Sequence, residues 1–160
     1  MNLRDKLIEE TIFIPMEAIN KEDAIQELLN HLQSLNILSA TVKLFANIKE
    51  QEKNFTSSAG RGIAYPHSTS IEVDKLTCVL GISKEGVDFN SPDGHACHII
   101  LLTLSPVNEP TEHRKFITRF RSMVDNPEVR SSLYDSEDHT NILNIISAWE
   151  DSMNKKDDVV

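Results

Sequence analysis

The sequence predicts a single α/β domain in which helices flank a central, mixed β-sheet. Residues 76–82 and 96–104 form two apolar runs rich in Val, Ile and Leu. Runs of this kind, with almost no polar alternation, are typical of strands covered on both faces. Because the strands cluster in the middle third of the chain, a mixed sheet is favoured over a simple doubly wound one. We expect one domain over residues 1–150 and a polar, flexible tail over residues 151–160.

The first third of the chain predicts an extended segment followed by two helices. Residues 12–19 read as a short strand in which Pro15 favours an edge or a bend. Asn20 is a suitable cap for an amphipathic helix. The apolar residues at helical spacing in that helix are Ile25, Leu28, Leu29 and Leu32. Ser39 is expected to cap a second helix, whose apolar side would be Val42, Phe45 and Ile48.

The segment between the two apolar runs and the last third of the chain complete the prediction. Turn residues in 83–96 surround a possible short hairpin strand at residues 87–89. Beyond Pro110 the pattern becomes helical, and Asn126 with Pro127 supplies the cap and first position of a second, short helix. Ser136 is expected to cap the last helix. The expected buried residues of these helices are Phe116, Phe120, Met123, Val124, Ile142, Ile145, Ile146 and Trp149.

Composition excludes several classes of partner. The chain has 160 residues, so it is long enough to bury a hydrophobic core without disulfides or structural metals. Its formal net charge is -9. An acidic surface does not attract a nucleic-acid backbone or an anionic membrane, although a small phosphate site built from backbone N–H groups remains possible. No apolar stretch reaches the roughly 20 residues of a membrane span. The charged N-terminus lacks the apolar region of a signal peptide, so we expect a cytoplasmic protein.

The two cysteines are expected to be buried thiols. Cys78 and Cys97 both lie within the apolar runs, which favours packing over a disulfide or a redox role. His95 and His98 flank Cys97, but their odd spacing on a strand directs the imidazoles to opposite faces. We therefore predict no metal site.

The stretch Gly60-Arg61-Gly62-Ile63-Ala64-Tyr65-Pro66-His67-Ser68-Thr69-Ser70 is the strongest candidate for a functional site. A loop with flanking glycines and hydroxyl side chains suits an anion that must approach the backbone. His67 is suited to be a donor, a base or a nucleophile, and the residues alone leave these roles open. A hydrolase that pairs His67 with Ser68 is disfavoured, because adjacent residues do not direct a base at a nucleophile.

This stretch resembles a known signature. The segment "TSSAGRGIAYPHS" is similar to the T-G-I-G-x-G-I-A-I-P-H motif of EIIA domains of the fructose/mannitol family in the bacterial phosphoenolpyruvate-dependent sugar phosphotransferase system, which includes nitrogen-regulatory relatives. The later "GVDFNSPDGHACHIILLTLSP" and "EHRKFITRFRSMV" resemble the strand and helix that come after this motif in that family. The resemblance extends from about Glu10 to Trp149, so residues 1–150 would be an EIIA type 2 domain.

The resemblance implies a phosphocarrier. His67 would accept a phosphoryl group from the histidine phosphocarrier protein and either pass it to an EIIB partner or hold it as a nitrogen or carbon regulatory mark. His113 aligns with a second histidine that would hydrogen-bond the phosphoryl oxygens. No metal, nucleotide or other cofactor is implied, nor any nucleic acid or direct membrane insertion.

Departures from the family motif suggest further phosphate contacts. Gln51 stands where an arginine is common, and an amide donates hydrogen bonds without supplying charge. Arg61 would supply that charge if its side chain turns toward His67. Ser57, in the place of a usual threonine, and Ser68 are additional candidate donors. Because of Gln51, a regulatory interaction module with slow or lost phosphoryl transfer is the alternative function, and the sugar-transport and nitrogen-regulatory branches both remain open.

Overall fold

The computed structural model describes residues 1–159 and has the α/β architecture that the sequence predicts. Two short 3-10 helices, Leu3–Asp5 and Glu9–Thr11, open the chain. The strands are β1 (Ile12–Phe13), β2 (Ser58–Gly60), β3 (Ile63–Ala64), β4 (His67–Thr69), β5 (Thr77–Val87) and β6 (Cys97–Ser105). The helices are α1 (Lys21–Ser34), α2 (Val42–Asn54), α3 (Pro110–Val124), α4 (Pro127–Asp135) and α5 (His139–Val159).

A six-stranded mixed sheet forms the centre of the domain. The long strands β5 and β6 pair antiparallel, with Leu80 opposite Leu101, and β1 runs parallel to β5. On its other side β6 pairs with β3 and then with β4, both parallel, while β2 is antiparallel to β3. The chain from Ile63 to Thr69 therefore follows β6 toward its carboxyl end, and this path positions the site described below.

Side chains on both faces of the sheet are buried, as the apolar runs predict. Val79 and Ile100 belong to the core on the side of α1 and α2, whereas Leu80 and Leu101 belong to the core that includes α3 and α5. Neighbours along β5 and β6 thus point into different layers, because side chains alternate across a strand. Each fully buried aliphatic or aromatic side chain contributes about 1.5–3 kcal/mol relative to an exposed one.

Several predicted helix features are confirmed. The side chain of Asn20 accepts a hydrogen bond from the Asp23 N–H at 2.9 Å, and that of Asn126 accepts from the Glu128 N–H at 2.9 Å. The predicted apolar face of α3, which includes Phe116 and Phe120, is fully buried. Both cysteines are buried free thiols, and burial raises the pKa of Cys78 to about 12. None of the helices in residues 1–159 is long and apolar enough to span a membrane.

The predicted start of the second helix is wrong. Helix α2 begins at Val42, because the N–H and hydroxyl of Ser39 both donate to the carboxylate of Glu72, which holds the segment before Thr41 out of the helix. The expected apolar side is wrong at Val42, which is 79% exposed. The buried residues of α2 are Leu44, Ile48 and Glu52.

Three other expectations differ from the structure. The hairpin strand at 87–89 does not form separately, because β5 continues to Val87 across a register shift that follows Ile82. The hydroxyl of Ser136 donates to the Ser132 carbonyl at the end of α4, and the Asp138 side chain accepts from the Asn141 N–H at the start of α5 instead. Residues 151–159, expected as a flexible tail, continue α5. Contacts of Asp151 with Arg4 and of Asn154 with Arg119 hold that extension.

Candidate active site

His67 lies at the start of β4, opposite Thr103 of β6. The side chains of β4 alternate, so His67 and Thr69 are exposed and Ser68 is buried. The Nδ1 atom of His67 is 3.0 Å from the carbonyl oxygen of Tyr65. Since a carbonyl oxygen only accepts hydrogen bonds, Nδ1 carries a proton, and in the neutral ring Nε2 keeps its lone pair. His67 therefore presents a nucleophilic nitrogen at the surface.

His113 lies in the first turn of α3 and faces His67. The two ring centroids are 5.7 Å apart, with an angle of 36° between the ring planes. The Nε2 atom of His113 shares a hydrogen bond of 2.9 Å with the hydroxyl of Thr103, a buried residue of β6. Burial lowers the pKa of His113, and electrostatic repulsion between its protonated form and a protonated His67 lowers it further. Both causes favour the neutral form of the second imidazole.

We expect the pKa of His113 to rise when His67 is replaced with alanine, because one of the two causes that lower it is removed. It should stay below its ordinary value, since the burial remains. NMR titration of the His113 ring measures this directly. His139→Ala is the control, because His139 pairs with Glu9 instead. An unchanged or lower pKa of His113 in the His67→Ala variant would contradict the contact.

Two adjoining cavities share His67 and His113. The first, of about 240 Å³, is also lined by Gln51, Ser68, Thr69, Ser105, Pro106 and Val107. The second, of about 290 Å³, is also lined by Thr56, Ser57, Ser58, Ala59, Tyr65, Ile117 and Arg121. No carboxylate lines either cavity among the described residues, although the chain carries a net charge of -9. The arrangement suits a small anion between the two imidazoles.

The structure brings three of the four candidate phosphate contacts to these cavities. Gln51 lines the first cavity from α2, together with Ser68, whose hydroxyl donates to the Thr69 carbonyl at 3.1 Å. Ser57 lines the second cavity, and its hydroxyl oxygen is buried without a hydrogen-bond partner among residues 1–159. The Ser57 N–H donates to the buried carboxylate of Glu52 at 3.0 Å, which fixes the segment.

The fourth candidate, Arg61, is directed elsewhere. Its guanidinium lies 3.0 Å from a carboxylate oxygen of Asp125, and it does not line either cavity. Gly60, Arg61 and Gly62 have φ angles of 79°, 57° and 80°, a left-handed turn that glycine adopts readily. The Arg61 N–H donates to Asp93 at 2.8 Å, which holds the turn in place. The hypothesis that Arg61 turns toward His67 therefore does not match this conformation.

Arg121 is a functional candidate that sequence reasoning missed. It lines the second cavity, and its guanidinium carbon is 5.0 Å from the ring centroid of Tyr65. Burial raises the pKa of Tyr65 to about 12, against the opposing charge of Arg121. His113, Ile117 and Arg121 recur at four-residue spacing, which places them along one face of α3. That four-residue spacing is the feature of the sequence from which Arg121 could have been identified as a site residue.

The model of the family described as "Phosphoenolpyruvate-dependent sugar phosphotransferase system, EIIA 2" matches residues 6–149. The chain belongs to this family. The family is that of the EIIA components of this phosphotransferase system. The chain is 26% identical over 147 residues to the fructose-specific EIIABC component of Bacillus subtilis, a match that covers 92% of this chain and 23% of that protein. This EIIA chain therefore spans about a quarter of that relative.

Solved structures share the fold of this EIIA. The nitrogen regulatory protein IIA-Ntr of Neisseria meningitidis superposes with a TM-score of 0.80 at 24% identity, covering 89% of this chain and 97% of that one. The mannitol enzyme IIA of Escherichia coli, solved in complex with phosphorylated enzyme IIB, gives a TM-score of 0.74 at 23% identity, covering 89% and 98%. The predicted family and fold are thus confirmed.

Proposed function

We propose that this EIIA is a phosphocarrier that accepts a phosphoryl group on His67 from the histidine phosphocarrier protein. It then passes the group to an EIIB partner or retains it as a nitrogen or carbon regulatory mark. One observation carries the proposal: the free Nε2 of an exposed histidine lies where two cavities without carboxylates meet a second histidine, whose pKa is lowered by burial.

The proposed transfer is an in-line displacement at phosphorus. The Nε2 lone pair of His67 forms the new N–P bond while the bond to the donor's histidine nitrogen breaks, and that electron pair returns to the donor ring. The Nδ1 proton of His67 stays on Nδ1 throughout, hydrogen-bonded to the Tyr65 carbonyl. In the second transfer, a nucleophile of the EIIB partner attacks the same phosphorus and Nε2 regains its lone pair. Because the transition state is loose, the surroundings act mainly by positioning and by stabilising charge.

His113 would stabilise the charge on the phosphoryl oxygens. If the Thr103 hydroxyl donates to Nε2 of His113, the Nδ1–H of that ring is free to donate to a phosphoryl oxygen. The position in the first turn of α3 adds the favourable end of the helix dipole. The unpaired hydroxyl of Ser57 and the amide of Gln51 are further donors for the same oxygens.

Exposed apolar residues around the cavities support docking of a protein partner. Val107, which lines the first cavity, is 60% exposed. Phe55, next to Thr56 of the second cavity, is 85% exposed, and Ile71, two residues beyond Thr69, is 92% exposed. Contiguous exposed apolar patches mark interaction surfaces, and we infer that these side chains contribute to one. A donor or acceptor protein seated on them would cover His67.

The proposal is tested by incubating the protein with phosphoenolpyruvate, the first enzyme of the system and its histidine phosphocarrier protein. We expect a mass increase of one phosphoryl group per chain, removed again when an accepting EIIB domain is added. Omitting the histidine phosphocarrier protein is the control, and it should prevent labelling. An unlabelled chain in the complete mixture would overturn the proposal.

A second candidate is a regulatory interaction module with slow or lost transfer. The observation that favours it is Gln51, a neutral amide at the wall of the first cavity. The same incubation separates the two candidates, because the regulatory module would remain unlabelled or label far more slowly than the histidine phosphocarrier protein can supply phosphoryl groups.

A further inference from the structure

We propose that Arg121 supplies the positive charge that stabilises the phosphoryl group on His67. This inference rests on the proposed phosphocarrier function. Arg121 would contact the phosphoryl oxygens from the second cavity, on the side opposite Gln51. The charge at this site would then come from α3 and not from α2.

Arg121 is positioned beside both histidines of the site. Its side chain shares the wall of the second cavity with His67 and His113. Successive turns of α3 bring His113, Ile117 and Arg121 to the same face, so the helix that delivers the second histidine also delivers the cation. A phosphoryl group on Nε2 of His67 would project into a space bounded by both.

Neighbouring arginines are paired with carboxylates, whereas, within the part of the chain that the structure describes, Arg121 is not. Arg61 is 3.0 Å from Asp125, and Arg119 is 2.7 Å from the buried carboxylate of Glu150. Arg121, in contrast, has no carboxylate within ion-pair distance among residues 1–159. It is also the one Lys or Arg side chain that lines either cavity within that described part of the chain. The charge of Arg121 is therefore available to an incoming anion.

Tyr65 links the position of Arg121 to that of His67. The guanidinium of Arg121 lies over the Tyr65 ring, while the Tyr65 carbonyl accepts from Nδ1 of His67. Tyr65 is buried and its ring stacks edge-on against Phe120, with the centroids 6.0 Å apart. One fixed residue thus orients both the nucleophile and the cation. A guanidinium held in this way can offer two N–H groups to phosphoryl oxygens.

The test compares phosphoryl transfer from the phosphorylated histidine phosphocarrier protein to wild type, Arg121→Gln and Lys115→Gln. Lys115 is the matched control, because it lies on α3 but lines a different groove with Trp149. In rapid single-turnover measurements at saturating donor, we expect Arg121→Gln to transfer about 10- to 100-fold more slowly, and Lys115→Gln within about twofold of wild type. A slower maximal rate distinguishes a contact with the phosphoryl group from weaker docking, which would change the concentration dependence.

Two more variants sharpen the result. Arg121→Lys should retain part of the rate, since it keeps the charge but loses the planar fork. Adding Gln51→Arg to Arg121→Gln should restore transfer, because it places a cation at the other cavity.

The outcomes of this test separate the inference from the proposed function. An Arg121→Gln variant that transfers at the wild-type maximal rate, or a Lys115→Gln variant slowed to the same degree, would overturn the inference about Arg121. If the wild type itself accepts no phosphoryl group, the phosphocarrier function fails instead.

Discussion

Replacement of His67 with alanine should abolish phosphoryl uptake, with a loss of at least about a thousandfold in the transfer rate. The reason is that, in the proposed function, the Nε2 lone pair of His67 forms the bond to phosphorus, and the variant lacks it. His67 is exposed and its Nδ1 is held by the Tyr65 carbonyl, so its removal takes away the nucleophile with little change to the core. Mass spectrometry of the incubated protein measures the loss.

His113→Gln is the informative companion to that variant. His113 would hydrogen-bond the phosphoryl oxygens without forming the N–P bond, so this variant should still become labelled, but more slowly by about 10- to 100-fold. Labelling of His67→Ala at the wild-type rate would contradict the assignment of His67 as the phosphoryl acceptor. If labelling were also lost completely in His113→Gln, the roles of the two histidines would be reversed.

Replacement of Glu150 with alanine should destabilise the domain by roughly 3–5 kcal/mol. The Glu150 carboxylate is fully buried and accepts from the Leu3 N–H at 2.7 Å and the Arg4 N–H at 3.0 Å. It also pairs with Arg119 at 2.7 Å. Its removal leaves the Leu3 and Arg4 N–H groups without this acceptor and the Arg119 guanidinium without its carboxylate partner, and so weakens the attachment of the N-terminal segment to α5. Denaturant unfolding monitored by circular dichroism measures the effect.

The next residue along α5 provides the control for this variant. Asp151 also pairs with Arg4, at 3.0 Å, but its side chain is 60% exposed. Exposed ion pairs contribute little, so Asp151→Ala should change the free energy of unfolding by less than about 1 kcal/mol. Equal effects of the two substitutions would contradict the role assigned to the buried carboxylate.

The sequence predicted those parts of the fold that depend on local pattern. Periodicity identified β5, β6 and the helices, and short-range caps such as Asn20 act through a residue three positions away. The predicted start of α2 is wrong because the Ser39 N–H donates a hydrogen bond to the carboxylate of Glu72, a residue 33 positions further along the chain. A contact of that range exists only once β4 and the loop after it have been placed beside α2.

The candidate site likewise has residues that the sequence identified and residues whose placement it could not predict. The resemblance to the family identified His67 and His113, which the structure brings face to face across the end of β6. The orientation of Arg61 was not predictable, because it depends on Asp93 and Asp125 from two separate segments. Helical periodicity places Arg121 on the same face of α3 as His113. That spacing indicates a place in the site only once α3 is known to pass beside Tyr65.

We propose that Nε2 of His67 carries the phosphoryl group, and NMR of the phosphorylated protein tests this most directly. With 15N-labelled histidine, coupling between phosphorus and nitrogen identifies the bonded atom. We predict coupling to Nε2 of His67, with Nδ1 still protonated by virtue of its hydrogen bond to the Tyr65 carbonyl. Coupling to Nδ1 of His67, or to a nitrogen of another histidine, would contradict the account.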